Sequence, residues 1–402
     1  MVWNGVASYS SEQRSELQFG TGLWVALRGG SEQRSELQLN YFMFIIDAHL
    51  DLSLNAIEWN RDLRKPVHAI RDMERGMTDK IDRGHGTVSL PELRLGSIGL
   101  VVATQLARHN QHNGALPGAG WNSPHQAWAM TQAQLAWYQA MEAEGEMVQI
   151  NSLGGLDTHL ALWMDEAIQN ERKPVGYILS LEGADSLVNL SYLERAYTYG
   201  LRAIGPAHYS TGRYAPGTGM TEGLTLLGKE LLKEMDKLHL ILDVTHLTDI
   251  GFQQAMDLYQ GPIWASHHNC RALAPHQRQL SDEQIRMLID RGSVIGGCFD
   301  AWMMKPGFTQ RVSSPKAFGI CLETIVDHYD HICQMAGNSL HCAIGSDLDG
   351  TFGIEQSPSD LDTIADLQYL QGLLVKRGYS LSDIENIFYK NWLEFLRRAW
   401  NV

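Results

Sequence analysis

Several apolar segments of this chain end in side chains that can bind a metal ion or move a proton. Imidazole nitrogens and carboxylate oxygens ligate divalent cations, and both groups also act in acid–base catalysis. One or two polar residues at strand ends can be structural, but six such ends at one edge of a barrel predict a functional site. The residues concerned are Asp47, His49, Asp51, Glu182, His208, His246, His267 and Asp347.

The first group lies in the segment DAHLD, residues 47–51. Side chains two residues apart share one face of a strand, so His49 and Asp51 can offer one nitrogen and one oxygen to the same metal ion. A histidine that caps a loop is the alternative interpretation of this segment taken alone.

Glu182 ends the apolar segment LSLE. A carboxylate in that position needs nearby positive charge, because burial without it carries a desolvation cost. Two divalent cations would supply the charge, and Glu182 would then bridge them. A salt bridge to Arg202 is the alternative.

His246 and His267 lie 21 residues apart, one predicted helix between them, and so occupy equivalent positions on adjacent strands. Two imidazoles and a shared carboxylate predict a metal site with positions open to water, as in catalytic sites. Strand alternation allows only one of His267 and His268 to face inward, and the residues alone leave that choice open.

Eight buried strands must position these side chains. They are predicted at residues 43–48, 98–105, 175–182, 201–206, 240–246, 262–266, 293–299 and 342–347. Helices are expected at 66–76, 123–144, near 192, and at 228–238, 248–259, 281–291, 315–335 and 358–378. This alternation predicts an α/β fold of the (β/α)8 TIM-barrel type, with a doubly wound open sheet as the alternative.

A further helix at residues 382–400 exceeds the eight-fold count. We expect it to pack on the outside of the barrel. Apolar surface at Trp392, Phe395 and Trp400 would make a homodimer plausible, while packing against the chain's own barrel is the alternative.

The chain contains 32 Lys and Arg against 46 Asp and Glu, a net charge of -14. That charge opposes binding to nucleic acid, and the apolar runs are too short for a membrane span. The five cysteines form no CxxC pair, which favours a cytoplasmic location.

The octapeptide SEQRSELQ occurs twice, at residues 11–18 and 31–38. Two short polar repeats bury nothing. We therefore interpret residues 1–42 as a non-native or poorly ordered extension and residues 43–402 as a single metallo-hydrolase domain.

The motifs DAHLD, LEGADSL, LDVTHLTDIGF, ASHHNCRAL and AIGSDLDG, in this order, resemble those of the membrane (renal) dipeptidases and their bacterial relatives. These form peptidase family M19 of the amidohydrolase superfamily. The resemblance covers residues 43–402 and implies a metal-dependent hydrolase barrel with two Zn²⁺ ions. His49 and Asp51 would bind one ion, His246 and His267 the other, and Glu182 would bridge both.

The same resemblance implies roles for further residues. His208 would contact the scissile carbonyl oxygen, Arg278 would hold the substrate's terminal carboxylate, and Asp347 would transfer the proton. Where many family members carry a tyrosine, this chain has Asp300, which we expect on the substrate side. It could recognise a basic side chain or an amino group, or simply face solvent.

The expected activity is zinc-dependent hydrolysis of dipeptides with a free C-terminal carboxylate, tolerating a C-terminal D-residue. In this mechanism a hydroxide held between the two ions attacks the amide carbonyl. Two alternatives stay open. One is hydrolysis of another amide, such as an N-acyl amino acid or a lactam, and the other is a catalytically silent binding or maturation protein.

Overall fold

The computed structural model describes residues 42–109 and 120–401, together with the backbone of two short strands, β1 (Leu17–Phe19) and β2 (Leu23–Val25), that pair antiparallel. Residues 1–42 and 43–402 form separate compact units. Apart from β1, β2 and residue 42, the segment interpreted as an extension lies outside the described residues, and that interpretation stays a prediction.

Among its described residues the second unit contains nine strands, eight of which overlap the eight predicted segments. Strands β3 to β9 form one parallel sheet in the order β3-β4-β6-β7-β8-β9, with β5 added beside β6. The strands are β3 (Ile45–Leu50), β4 (Ile98–Gln105), β5 (Met147–Gln149), β6 (Val175–Glu182), β7 (Leu201–Gly205), β8 (Ile241–Asp243), β9 (Ile263–Trp264), β10 (Ile295–Gly297) and β11 (Cys342–Ile344).

Two short contacts close this sheet into a barrel. Ala265 forms a parallel bridge with Ile295 and so joins β9 to the parallel pair β10-β11. At the other seam the Asp347 amide donates to the His49 carbonyl at 3.2 Å. The predicted (β/α)8 barrel is therefore confirmed, and the open-sheet alternative is wrong.

The helices follow the predicted alternation in most places. They are α1 (Leu52–Glu58), α2 (Val67–Met73), α3 (Leu90–Leu95), α4 (Pro124–Ala143), α5 (Leu153–Trp163), α6 (Ser191–Thr198), α7 (Leu226–Lys237), α8 (Asp249–Leu258), α9 (Asp282–Asp290), α10 (Ala301–Met304), α11 (Pro315–Phe318), α12 (Leu322–Ala336), α13 (Leu370–Arg377), α14 (Leu381–Glu385) and α15 (Asn391–Trp400).

Three predicted helices are divided in the structure. Residues 315–335 form α11 and α12, because Gly319 adopts the left-handed conformation with φ 61° and ends the first piece. Residues 358–378 become helical only from Ile364, as one short 3₁₀ segment followed by α13. The final helix is α14, a π-helical segment at Asn386–Lys390, and α15.

One apolar cluster combines residues from most of the barrel strands with residues of α5 and α15. Trp264 in β9 packs edge-on against Trp392, with ring centroids 5.7 Å apart, and lies 5.6 Å from Phe395. The Trp392 indole donates to the Ile344 carbonyl at 2.9 Å.

The prediction that the final helix leaves Trp392 and Phe395 as exposed apolar surface is therefore wrong. Both side chains are buried at 1% and 4% exposure, beneath the amino-terminal ends of the strands. Burial against the chain's own barrel removes the reason for expecting a homodimer.

Candidate metal centre and active site

The carboxyl ends of β3, β8 and β9 bring three predicted histidines around one carboxylate oxygen at the end of β6. Glu182 Oε1 lies 3.2 Å from His246 Nε2 and 3.6 Å from the Nε2 atoms of both His49 and His267. His208, which follows β7, places its Nε2 3.8 Å from the same oxygen. Residues from five segments of the chain thus meet at one point.

A second cluster adjoins the first. His49, Asp51 and Asp347 each offer a ligand atom, and these atoms lie within 4.8 Å of one another. The His49 Nε2 to Asp347 Oδ1 distance is 3.8 Å. His49 belongs to both clusters, so the predicted ligands and the predicted proton-transfer residue share one continuous site.

The strand ends are shaped by two buried carboxylates with the same local role. Asp47 Oδ1 accepts from the amides of His49 at 3.1 Å and Ser346 at 2.8 Å. Asp243 Oδ1 accepts from the amides of Thr245 and Ser266 at 3.0 and 3.1 Å. Each aspartate therefore ties a segment that contains a predicted ligand to the neighbouring strand.

Hydroxyl groups hold the far nitrogens of two imidazoles. Thr218 Oγ1 lies 2.9 Å from His246 Nδ1, and Ser266 Oγ lies 2.9 Å from His267 Nδ1. Such contacts set the orientation and tautomer of a metal-binding histidine. Sequence reasoning missed both hydroxyl residues, although Ser266 directly precedes His267.

Burial controls the protonation of the histidines. Desolvation lowers the pKa of His49 to about 3, with a further contribution from the Arg278 cation. Burial likewise holds the pKa values of His208, His246 and His267 well below the usual range. The imidazoles are therefore neutral, the state in which they can donate a lone pair to a metal ion.

The buried acids shift in the opposite direction. Desolvation, followed by the nearby charge of Asp51, raises the pKa of Glu182 and of Asp347 well above the ordinary value. Burial also raises the pKa of Asp51 to about 6, against a hydrogen bond from Thr104. Each of these carboxyl groups, when ionised, makes ionisation of the others less favourable. A positive charge placed among them would lower their pKa values again.

Arg278 is buried at 2% exposure and is not a solvated surface charge. Its Nη2 donates to the His267 carbonyl at 3.0 Å and lies 3.5 Å from His246 Nε2. Nε and Nη1 have no hydrogen-bond partner among the described residues. A buried guanidinium with two free donors can bind an anion.

Asp300 lines the cavity over the site, but both of its oxygens are engaged. Oδ2 accepts from Trp302 Nε1 at 2.7 Å, and Oδ1 accepts from Gln356 Nε2 at 2.9 Å. Burial raises its pKa to about 7. The partners Trp302 and Gln356 lie 2 and 56 residues away, and only the nearer one could have been foreseen from the sequence.

The alternatives left open by the residues can now be decided. Arg202 donates to the carbonyls of Asn151, Tyr197 and Leu201 and makes no salt bridge with Glu182. His267 faces Glu182, whereas the nearest side-chain partner of His268 is the Thr245 hydroxyl at 3.5 Å.

A cavity of about 610 Å³ opens over the cluster. Its floor includes Glu182, His246, His267 and Asp347, and its walls include Trp59, Trp121 and Tyr209, among others. The volume lies within the range of small-molecule sites.

The model of the membrane dipeptidase family, peptidase family M19, matches residues 33–402. The chain belongs to this family. Membership makes it a hydrolase that acts on dipeptides, and the predicted family resemblance is confirmed.

Individual relatives are more distant. The chain is 30% identical to an uncharacterised protein from the pqqA 5′ region of Klebsiella pneumoniae over 241 residues, 57% of this chain and 84% of that protein. It is 26% identical over 237 residues to the uncharacterised dipeptidase C3A11.10c of Schizosaccharomyces pombe. That match covers 58% of this chain and 54% of the yeast protein, so the chain spans about half of its length.

A solved structure shares the fold. It is a metallopeptidase from Rhodobacter sphaeroides liganded with a phosphinate mimic of the dipeptide L-Ala-D-Ala, with a TM-score of 0.71 and 22% identity over 90% of this chain and all of that chain.

Among the helices of residues 42–109 and 120–401, none has the length and apolar character needed to cross a bilayer.

Proposed function

We propose that this chain is a zinc-dependent dipeptidase with a two-metal site. The observation that carries the proposal is the position of Glu182 Oε1, which lies 3.2 to 3.8 Å from four imidazole nitrogens. A single carboxylate surrounded by neutral histidines from separate strands is suited to bridging two cations.

The residues present fit such ions. His49 Nε2 is buried and has no hydrogen-bond partner among the described residues, so its lone pair is free for a metal ion. The donor set contains imidazole nitrogens and carboxylate oxygens, which suits zinc. His49 and Asp51 would hold one ion, His246 and His267 the other, and Glu182 both. When bound, such ions lower the pKa of water towards neutrality and polarise a carbonyl group.

The chain's own groups complete the chemistry. Asp347, whose pKa is raised by burial and by the charge of Asp51, can accept a proton from the attacking water and return it to the leaving nitrogen. His208 faces the same cluster and would donate to the oxygen of the scissile carbonyl as negative charge develops there.

Arg278 accounts for the requirement for a free C-terminal carboxylate. Its two unpartnered donors can form a forked pair of hydrogen bonds with a carboxylate, which orients the peptide bond over the metal centre. The phosphinate mimic of L-Ala-D-Ala bound by the Rhodobacter protein supports tolerance of a C-terminal D-residue.

Metal removal tests the mechanism. We expect chelation to abolish hydrolysis of dipeptides and added zinc to restore it, with metal content measured on the same samples. Full activity of the metal-free protein would contradict the proposal. A panel of L,L and L,D dipeptides beside N-acyl amino acids and a lactam then separates dipeptidase activity from hydrolysis of another amide, and turnover of none of them would favour a silent homologue.

A cytoplasmic location also stays a prediction. All five cysteines are free thiols, and the sulfurs of Cys333 and Cys342 lie 3.4 Å apart. Two thiols this close would be expected to pair in an oxidising compartment. An intact mass that shows this disulfide in protein from its natural source would argue against the cytoplasm.

A further inference from the structure

One buried amide links the two halves of the proposed active site. Asn55 lies in α1, four residues after Asp51, and is 3% exposed. Its Nδ2 donates to the Asp51 carbonyl at 3.0 Å and to the Asp349 carbonyl at 2.8 Å. Asp349 is two residues beyond Asp347. The segment of a proposed metal ligand is thereby tied to the segment of the proton-transfer residue, although 294 residues separate Asn55 from Asp349.

A buried arginine determines which way this amide faces. Arg61 Nη1 donates to Asn55 Oδ1 at 2.7 Å. Arg61 is itself held by Glu74 at 2.8 Å and by Asp82 at 3.0 Å. Because the guanidinium occupies the oxygen of the amide, the Asn55 nitrogen must face the two carbonyls.

The segment that receives this hydrogen bond has an unfavourable backbone. Asp347, Asp349 and Thr351 have φ values of 58°, 61° and 69°, in the left-handed region. Each non-glycine residue in this region costs about 1 kcal/mol or more, so the conformation persists only if its surroundings hold it.

The Asp349 side chain supplies part of that restraint. Its Oδ1 accepts from both the amide and the hydroxyl of Thr87 at 2.7 Å, and its Oδ2 accepts from the Val88 amide at 3.0 Å. The Asp349 carboxylate thereby ties its segment to residues 87 and 88. Asn55 adds a further restraint, beside the Asp347 amide that donates to the His49 carbonyl, and connects the segment to Asp51 at the end of β3.

We propose that Asn55 is a positioning residue that sets the placement of Asp51 relative to Asp347, and with it the affinity for metal and the rate of proton transfer. This inference rests on the proposed function. Residues that orient metal ligands without touching the ion typically change metal affinity or activity by roughly 10- to 100-fold when replaced.

The test compares two asparagines with the same chemistry. Asn391 is also buried, and its Nδ2 donates to the carbonyls of Ser339 at 2.7 Å and Cys342 at 2.8 Å. It lies at the opposite end of the barrel. Asn55→Ala and Asn391→Ala each remove two hydrogen bonds that a buried side-chain amide donates to carbonyls, so both should lower stability to urea. Only Asn55→Ala should lower zinc affinity and kcat, each by roughly 10- to 100-fold, with KM little changed.

The variant Asn55→Asp tests whether the hydrogen bonds of the Asn55 amide matter, or only the volume of its side chain. It keeps the size of the side chain and its pairing with Arg61, but it presents an oxygen to the Asp51 and Asp349 carbonyls. We expect it to lose zinc affinity and kcat at least as strongly as the alanine variant.

Zinc affinity is measured by competition with a chelator and does not require activity. Wild-type zinc affinity and kcat in Asn55→Ala or Asn55→Asp would overturn the inference, as would equal losses in Asn391→Ala. Failure of the proposed function would instead appear in the wild-type protein, as dipeptide turnover that does not depend on metal.

Discussion

At the scale of single residues, the site depends on neutral imidazoles facing ionisable carboxyl groups. Burial lowers the pKa of His49 to about 3, and burial followed by the charge of Asp51 raises the pKa of Glu182. The same low-polarity surroundings keep the histidines neutral, as the proposed ligands must be, and raise the pKa of Asp347, the proposed proton-transfer residue. Burial is therefore the main cause of both shifts. Separate substitutions can test the proposed metal binding and the proposed proton transfer one residue at a time.

Asp347→Asn should remove proton transfer and leave the metal centre in place. The amide has similar size but cannot accept a proton, so we expect kcat to fall by roughly 10²- to 10⁴-fold. Zinc content, measured by elemental analysis, should equal that of the wild type. Loss of one zinc ion in this variant would instead identify Asp347 as a ligand.

Arg278→Lys should weaken recognition of the terminal carboxylate. A lysine keeps the charge but lacks the planar fork, and hydrogen bonds to charged groups contribute about 1.5 to 3 kcal/mol. We expect kcat/KM for a dipeptide to fall by roughly 10- to 100-fold, and the preference for the dipeptide over its C-terminal amide to disappear. A variant that keeps this preference would contradict the role assigned to Arg278.

At the scale of elements, strand ends carry the site and helices anchor the loops around it. Helix α12 shows how. His328 accepts from the Cys270 amide at Nδ1, at 3.1 Å, and lies 3.0 Å from the Met304 carbonyl at Nε2. This pairing requires the neutral tautomer with the proton on Nε2. The helix thereby holds the segment after β9 and the helix α10 through one uncharged ring.

Folding stability should consequently depend on the protonation of His328. Burial lowers its pKa to about 4 in the folded protein, from 6.5 in the unfolded chain. As the pH falls below 6.5, the unfolded state takes up a proton and the folded state does not. The stabilisation of the folded state by neutral His328 is thus complete above pH 6.5. It is lost progressively as the pH falls towards 4, by about 3 kcal/mol in total.

Urea denaturation of zinc-loaded wild type and His328→Gln at pH 7.5 and 5 measures this effect. Acid also protonates the proposed zinc ligands, but this contribution is common to both proteins. The wild type should therefore lose more stability than the variant between the two pH values. Equal losses would show that His328 takes up a proton in the folded state as readily as in the unfolded state.

At the scale of the whole molecule, the two ends of the barrel have different tasks. The carboxyl ends of the strands carry the polar cluster and the cavity, whereas Trp264, Trp392 and Phe395 fill the amino-terminal end. This division is common in (β/α)8 enzymes, in which one rim serves chemistry and the other serves stability.

Trp392→Ala should therefore reduce stability without changing the chemistry. Removing a buried tryptophan leaves a cavity and an unpartnered Ile344 carbonyl, for an expected loss of about 3 to 5 kcal/mol in the free energy of unfolding. Urea denaturation measures the loss, and kcat of the remaining folded enzyme should match the wild type. Leu381→Ala, at a position 52% exposed, is the surface control and should change neither quantity.

The sequence by itself determined the eight strands and the residue types at their ends. Both are local properties, because a buried strand needs only a short apolar run, and a proposed ligand such as His246 needs only to follow it. Residues 47–51 and the His246 and His267 pair predict the metal cluster for the same reason. The short α1 escaped prediction, since seven residues carry too little periodicity.

Only the tertiary structure determined which distant side chains contact the residues of the site. Thr218 reaches His246 from 28 residues away, and Asn55 reaches Asp349 from 294. The sequence left open whether Trp392 is exposed or packs against the barrel. Its side chain is buried because the open end of the barrel must be filled. Such pairings depend on the positions of residues far apart in the chain, and those positions exist only after the barrel has closed.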